Sequence, residues 1–260
     1  ALDTLSGACF AVASVQAAAQ RTMPPALLAS SIVTLKAGEE APLDELTHRL
    51  TDAGYERCSQ VEGMGQFSVR GGILDIFPPQ AEHPYRVEFW DDEIDSISTF
   101  DVGSQRRLEQ CETLRCLPCM EALPSLAKGG AAGLAKAVAA LASSRRKKQH
   151  ADLQKNLERD AERLRENGTL PAADKYLPLI YPQMATAFDY LPENTLILIE
   201  DTPRLRAAAR DFHARIADDV TALMERGEMP GGMDGYALDF AGICSIKRQI
   251  VRMDSFLNSI

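Results

Sequence analysis

The chain lacks a G-x-x-x-x-G-K-[ST] motif, the loop whose backbone amides and lysine hold the phosphates of a nucleotide. It also lacks an apolar run of about 18 residues, the length that a membrane-spanning helix needs. The Ala-rich stretch near its start follows Asp3 and no basic segment, which is not the pattern of a signal peptide. These absences predict a cytoplasmic protein with no membrane contact and no nucleotide hydrolysis of its own.

Basic residues are fewer than acidic residues in this chain. Lysine and arginine together number 28 against 37 acidic residues, which gives a formal net charge of −9. Because neutralising phosphates requires concentrated basic side chains, this balance argues against autonomous binding to nucleic acid. An apolar content of 45% is that of an ordinary globular chain, long enough for one large or two smaller cores. Since the chain opens at Ala1 on an apolar segment, we expect a fragment of a longer polypeptide.

Metal-ligand patterns are incomplete. Cys111, Cys116 and Cys119 have the C-x4-C-x2-C spacing of one iron-sulfur motif, but Cys244 lies far along the chain and no histidine is close. We therefore expect free thiols in a reducing compartment, with no metal and no cofactor.

Other charged groups also have simple explanations. An acidic cluster is expected in a solvated hairpin tip, and a basic run at 145–148 is expected on a solvated helix face. No catalytic residue is predicted, because the histidines have no adjacent nucleophile-base partner in sequence. The acidic cluster comprises Asp91, Asp92, Glu93 and Asp95, and the histidines are His48, His83, His150 and His213.

The segment from Gln66 to Arg107 has the period-2 alternation of half-buried strands. Gly71-Gly72 interrupts it, where we expect a bulge or a close backbone approach. One predicted face presents Tyr85, Val87 and Phe89 to the core. The other combines an arginine with the only tryptophan of the chain, residue types enriched at interface hot spots, and is predicted to be a docking surface. Its residues are Arg86, Glu88 and Trp90.

The remaining segments have mixed helix and strand patterns. We expect a strand over Cys9–Val15 with a short helix after it, a strand at Ile32–Lys36, and a helix that Pro42 and Asp44 start and Gly54 stops. Helices are also predicted over 126–142, 145–166 and 204–226, the second with a narrow apolar stripe. The apolar run at 195–199 is typical of a buried parallel strand. The stripe comprises Leu153, Leu157, Ala161 and Leu164.

The strings RGGILDIFPP, PYRVEFWDDEIDSISTFD and SQRR closely resemble the second domain shared by the bacterial transcription-repair coupling factor (Mfd) and the excinuclease protein UvrB. Weaker similarity extends to FAVASVQAAAQRTMPP upstream and to GTLPAADKYLPLIY and FDYLPENTLILIED downstream. In UvrB the strand matching LILIED precedes a DExH-type box, whereas this chain has Glu200-Asp201-Thr202-Pro203. The chain therefore resembles the degenerate N-terminal UvrB-like module of the coupling factor more than UvrB itself.

The resemblance implies a mixed α/β architecture. A degenerate helicase-like lobe, discontinuous in sequence, is expected from residues 1–32 and 119–260. A β-rich domain that docks on the excinuclease protein UvrA is expected as an insertion over 33–118. The family's docking residues correspond to Arg70, Arg86 and Trp90, with Glu93 and Glu88 nearby. The alternative for Arg86 is an ordinary cross-strand pair with an acid such as Glu88 or Asp95.

The function implied is that of an adaptor, not an enzyme, which recruits UvrA to a stalled RNA polymerase. RNA polymerase and DNA would be bound only by domains outside this chain, and the family masks the docking surface with its own C-terminal domain. The competing hypotheses are an ATP-dependent, UvrB-type repair enzyme acting on damaged DNA and a module that only stabilises its parent by packing. In the packing case, loss of Trp90 would loosen the protein without affecting any partner selectively.

Overall fold

The computed structural model describes residues 10–144 and 151–254, together with Leu5 and Gly7. The chain divides into two compact units, each assembled from separate stretches of sequence. The sheet unit comprises residues 26–132 and 163–173, and the helix-rich unit comprises residues 1–25, 133–162 and 174–260. The domain boundaries at 32/33 and 118/119 stay a prediction.

Both helices and strands occur throughout, as the predicted mixed α/β class requires. The strands are β1 (Arg21–Thr22), β2 (Val33–Lys36), β3 (Glu56–Arg57), β4 (Gln66–Arg70), β5 (Ile73–Ile76), β6 (Tyr85–Trp90), β7 (Glu93–Phe100), β8 (Arg107–Cys111), β9 (Thr113–Cys116), β10 (Ala185–Thr186), β11 (Leu196–Glu200) and β12 (Gln249–Met253). The α-helices are α1 (Val15–Ala19), α2 (Pro25–Ser31), α3 (Leu43–Asp52), α4 (Gly130–Ser144), α5 (Ala151–Asn167), α6 (Leu177–Ile180), α7 (Thr202–Glu225) and α8 (Phe240–Cys244). No helix in the described ranges is both long and apolar enough to cross a membrane.

The sheet unit is built around a six-stranded sheet of order β3-β4-β5-β6-β7-β8. Strands β4 to β8 run antiparallel in sequence order, and only β3 pairs in parallel, with β4. Two-residue turns join β4 to β5 and β6 to β7 and fix the register of these two pairs. The predicted succession of strands over this segment is confirmed.

One face of this sheet forms the core of the unit. Phe67, Leu74 and Val87, from three adjacent strands, are fully buried in it. Helix α3 adds Leu46 and Leu50, and the antiparallel ribbon of β2 and β9 adds further apolar side chains. The apolar side chains predicted for the inner face of β6 therefore point into a real core. Helix α3 also starts after Pro42 and stops before Gly54, which has φ +87°, as expected.

Strand β7 contains a β-bulge, which explains why its buried apolar residues do not alternate strictly along the strand. Glu88 pairs with Ser96 and Phe89 with Ile94, so one residue of β7, Asp95, has no partner in β6. Ile94 and Ile97 are three positions apart, yet both are buried in the same core. Strict alternation along β7 would have placed one of them on the opposite face.

Gly71-Gly72 forms the two-residue turn between β4 and β5, since Arg70 pairs with Ile73. Of the two predicted alternatives, a bulge or a close backbone approach, the structure has the close approach. The amide of Phe89 donates to the carbonyl of Gly72 at 2.8 Å, and a Cβ at Gly72 would lie 3.0 Å from the Phe89 carbonyl oxygen. A glycine here lets the turn lie against the end of β6.

Two strand predictions in the helix-rich unit need correction. Residues 10–14 form no strand, because they have no ladder partner and Ser14 instead caps α1; Cys9 lies outside the described residues. Strand β11 is parallel to β12 as expected, but it is not buried throughout. Only Ile199 is buried, while Leu198 is half exposed, because the two strands form a sheet by themselves in the described residues.

The predicted helices agree with the structure more closely than these two predicted strands. Helix α5 buries every residue of its predicted apolar stripe, and Gly168, with φ +68°, follows its end. Helix α7 begins two residues before the expected start and ends before Gly227. Helix α4 begins at Gly130, after a 3₁₀ turn at Pro124–Leu126. The basic run at 145–148 and His150 lie outside the described residues.

Candidate protein-docking surface

The face of the six-stranded sheet opposite the core carries charged and polar side chains, and we name it the arginine face. Strand register places its members in rows, because directly paired residues share a face. One row contains Ser68, Asp75, Arg86 and Ser98, and the next contains Arg70, Ile73, Glu88 and Ser96. Trp90, Glu93, Phe100 and Arg107 complete the arginine face.

Asp75 is the centre of the first row. Its side chain is only 2% exposed, and it accepts hydrogen bonds from two arginines. Arg86 binds it in a bidentate fashion, with Nε to Oδ1 at 2.6 Å and Nη2 to Oδ2 at 2.8 Å. Arg70 donates through Nη2 to Oδ2 at 2.7 Å. A buried carboxylate requires such partners, since an unpaired charge at this depth is strongly disfavoured.

Arg86 is held on several sides. Its guanidinium lies over the ring of Phe100, with 4.5 Å from Cζ to the ring centroid, and donates to Oε1 of Gln105 at 3.1 Å. Hydrogen bonding to Asp75 raises the pKa of Arg86, although burial acts in the opposite direction. The sequence offered Glu88 or Asp95 as the possible internal partner of Arg86. The partner is Asp75, which lies directly opposite it on β5.

A second ion pair lies in the next row. Nη2 of Arg107 donates to Oε1 of Glu88 at 2.7 Å, and the hydroxyl of Ser96 donates to Oε2 at 3.0 Å. The hydrogen bond from Arg107, followed by that from Ser96, lowers the pKa of Glu88 below its ordinary value. Arg107 comes from β8, so the two ion-pair networks together span strands β4 to β8.

Trp90 lies at the end of β6, and the residue is 81% exposed. The two-residue turn that follows contains Asp91, whose φ of 56° is tolerated by aspartate better than by most residues. Asp91 and Asp92 of the acidic cluster therefore form the predicted hairpin tip, whereas Glu93 begins β7 and Asp95 is its bulge residue. An exposed indole of this size is unusual on a monomer surface and is typical of an interaction site.

The loop after β2 holds this hairpin tip in place. The amide of Ala41 donates to the carbonyl of Asp92 at 2.8 Å, and the amide of Gly38 donates to that of Ile94, also at 2.8 Å. The amide of Ile94 in turn donates to the carbonyl of Glu39 at 3.0 Å. The backbone beside Trp90 is therefore held by hydrogen bonds to the loop after β2.

All the residues predicted for docking share the arginine face, but their exposure differs. Trp90 is mostly exposed, the Arg70 side chain is 50% exposed, and the Arg86 side chain is only 19% exposed. Glu88 is paired, and Glu93 lies opposite Trp90 at the hairpin tip. Sequence reasoning missed Asp75, Phe100 and Arg107. The sequence signal for Asp75 was the Gly71-Gly72 pair, because a two-residue turn at these glycines places Asp75 opposite Ser68.

Cys116 is buried in the core of the sheet unit, and Cys111 and Cys119 are partly buried against that core. Burial raises the pKa of the Cys116 and Cys119 thiols to about 12, which disfavours the reactive thiolate. The nearby Tyr55 hydroxyl donates to the carbonyl of Leu117 at 2.7 Å. In the part of the chain that the structure describes, no group of three or more histidine, cysteine or acidic residues is arranged to hold a metal ion.

Residues 33–121 match the family model described as the UvrB interaction domain. The chain is 35% identical over 218 residues to the transcription-repair-coupling factor of Bacillus subtilis, covering 82% of this chain and 18% of that protein. It is 35% identical over 216 residues to the Escherichia coli protein of the same name, covering 81% and 17%, and 37% identical over 180 residues to that of Haemophilus influenzae, covering 69% and 15%.

These similarities define a protein that contains a UvrB interaction domain over most of its sheet unit. The chain belongs to the transcription-repair-coupling factor family, as an N-terminal UvrB-like module. It spans less than a fifth of the length of these curated relatives. The resemblance drawn from the sequence is confirmed.

The Glu88–Arg107 pair predicts a pH-dependent contribution to stability. Because the folded-state pKa of Glu88 is lowered, this contribution is present above the unfolded-state pKa and is lost as pH falls through the folded value. At pH 7 we expect Glu88→Gln to lower the free energy of unfolding by about 0.5 kcal/mol. Urea denaturation at neutral pH and below about pH 4 measures this difference, which should shrink in acid. A difference that grows in acid would contradict the pairing.

Proposed function

We propose that this chain is an adaptor that docks on UvrA through the arginine face and thereby links nucleotide excision repair to a stalled RNA polymerase. The single observation that carries the proposal is the exposed indole of Trp90 at the fixed tip of a hairpin, on the same sheet face as the two ion-pair networks. Membership of the transcription-repair-coupling factor family supports the repair context.

The chemistry of the arginine face favours a protein partner with carboxylates. Its networks contain three guanidinium groups, from Arg70, Arg86 and Arg107, against two carboxylates, from Asp75 and Glu88. Arg70 and Arg107 are both about half exposed, so they retain donors for a partner. The chain as a whole carries a charge of −9 and Glu93 adds a third carboxylate to the arginine face, so the attraction for an acidic patch is local to the exposed donors of Arg70 and Arg107.

Trp90 supplies the apolar part of the interaction. Burial of an indole at the centre of an interface excludes water from neighbouring charged contacts and strengthens them. Because the turn beside Trp90 is already ordered, little conformational entropy is lost on docking. We assign Glu93, which pairs directly with Trp90 across the hairpin, a polar contact with the partner beside the indole.

We extend the proposal to the domains of the whole coupling factor. We assign the docking domain to residues 33–118 and a degenerate helicase-like lobe to residues 1–32 and 119–260. RNA polymerase and DNA are bound by other domains of the coupling factor, and its C-terminal domain masks the arginine face until activation. The chain itself is not an enzyme in this account, and it acts in the bacterial cytoplasm.

Docking through arginines predicts salt-dependent affinity. The Kd for purified UvrA should rise about tenfold between about 0.05 M and about 0.3 M salt, because screening weakens the encounter of complementary charges. Isothermal titration calorimetry measures this series. Arg70→Ala should weaken binding and flatten the salt dependence, whereas Arg49→Ala removes an exposed arginine from α3, on the other side of the sheet, and should do neither. Salt-independent binding would contradict the model.

A further inference from the structure

Asp75 is the carboxylate of the arginine face that both Arg70 and Arg86 contact. It is buried, yet it binds at the same time one arginine whose side chain is 19% exposed and one whose side chain is half exposed. Among the described residues, Oδ1 accepts from Arg86 alone, whereas Oδ2 accepts from both Arg86 and Arg70. The carboxylate is therefore a shared anchor for guanidinium groups from β4 and β6.

The anchor itself is rigid. Strand β5 lies between β4 and β6, so the backbone of Asp75 is paired on both sides, with Ser68 and with Arg86. The bidentate contact and the ring of Phe100 fix the Arg86 guanidinium in one plane. Arg70 has no such support in the described contacts and binds Asp75 through a single nitrogen. Its orientation thus depends on the carboxylate that Arg86 holds.

We propose that Asp75 is the positioning residue of the arginine face: it aims the exposed part of Arg70 at a carboxylate of the partner, while Arg86 stays bound to it. This inference rests on the proposed docking to UvrA. It assigns the direct contacts to Arg70 and Trp90 and gives Arg86 a supporting role beneath them. A side chain oriented before binding loses less rotamer entropy when the complex forms.

Simple electrostatics makes the opposite prediction, which allows a clear test. Replacing Asp75 by asparagine removes a negative charge from a face that attracts acidic groups. Charge steering alone should then accelerate association by about twofold and tighten binding. Loss of positioning should instead accelerate dissociation, because Arg70 no longer has a fixed direction.

The experiment measures association and dissociation rates of immobilised UvrA with the wild-type chain, Asp75→Asn, Asp75→Glu and Asp44→Asn. Asp44 is exposed in the first turn of α3, which packs on the core side of the sheet, so its variant removes the same charge away from the arginine face and is the matched control. We expect dissociation to accelerate about tenfold in Asp75→Asn and at least about threefold in Asp75→Glu, with no change in Asp44→Asn. Circular dichroism establishes that each variant is folded.

Asp75→Glu keeps the charge and displaces the carboxylate by one methylene group, so it decides the question if Asp75→Asn does not fold. Unchanged dissociation from a folded Asp75 variant would overturn the inference. If the wild-type chain does not bind UvrA at all, the proposed function fails instead, which is a different result.

A measurement on the free wild-type chain needs no variant. The Nε–H proton of Arg86 should exchange with solvent at least about tenfold more slowly than that of Arg49, because only the former is hydrogen-bonded to a buried carboxylate. Nuclear magnetic resonance of the arginine side chains measures both rates. Equal rates would show that Asp75 does not hold Arg86 and would overturn the inference independently of UvrA.

Discussion

Trp90→Ala is expected to weaken binding to UvrA by about 30-fold or more, equivalent to about 2 kcal/mol, while leaving the free energy of unfolding within about 0.5 kcal/mol of wild type. The two effects separate because Trp90 is 81% exposed and contributes little to the core, yet has the size and position of an interface hot spot. Calorimetric titration gives the first quantity and urea denaturation the second.

Met64→Ala is the control for this prediction. Met64 is a large apolar side chain of the same unit and is 59% exposed, so it tests the effect of removing exposed apolar surface in general. We expect it to bind UvrA like wild type. If Trp90→Ala instead lowers stability by several kcal/mol without a selective binding defect, the module serves internal packing, and the docking interpretation is wrong.

Arg86→Ala is expected to destabilise the chain by about 3 kcal/mol, because it leaves the buried Asp75 carboxylate with Arg70 as its only arginine partner in the described structure. Arg70→Ala should cost no more than about 1 kcal/mol, since that side chain is half exposed and Arg86 remains in place. Urea denaturation at neutral pH gives both values. Equal effects would contradict the asymmetry between the two arginines.

Arg86→Lys separates charge from geometry. Lysine keeps the positive charge but cannot reproduce the bidentate fork or the stacking on Phe100, so we expect a stability between those of wild type and Arg86→Ala. For the same reason, a binding defect in Arg86→Ala must be measured on protein shown to be folded. Part of that defect will reflect the disturbed arginine face and not a lost contact.

The sequence predicted correctly those features of the fold that depend only on neighbouring residues. Alternation along β6 assigned Val87 to the core and Arg86 and Trp90 to the other face, because side chains of one strand alternate whatever its neighbours do. The ends of α3 and α5 followed from glycines that take positive φ. The family resemblance then supplied the docking residues that alternation alone could not distinguish from any polar face.

Features that depend on register or on distant segments were missed. The pairing of Asp75 with Arg86 requires the register of β5 against β6, and the burial of both Ile94 and Ile97 requires a bulge at Asp95. No local pattern encodes either. The apolar run of β11 predicted a buried strand, yet Leu198 is half exposed, because burial depends on what covers the sheet. The expected strand at residues 10–14 failed for the same kind of reason, since a strand needs a partner.

The central claim is that this chain binds UvrA through the arginine face. The most direct test is calorimetric titration of purified UvrA with the wild-type chain and with a folded Arg70→Ala/Trp90→Ala variant, which removes the exposed contacts and leaves the Asp75–Arg86 pair intact. We expect a Kd of about 1 μM or lower for wild type and a loss of affinity of at least about 100-fold for the variant. Equal affinities, or no binding by the folded wild-type chain, would contradict it.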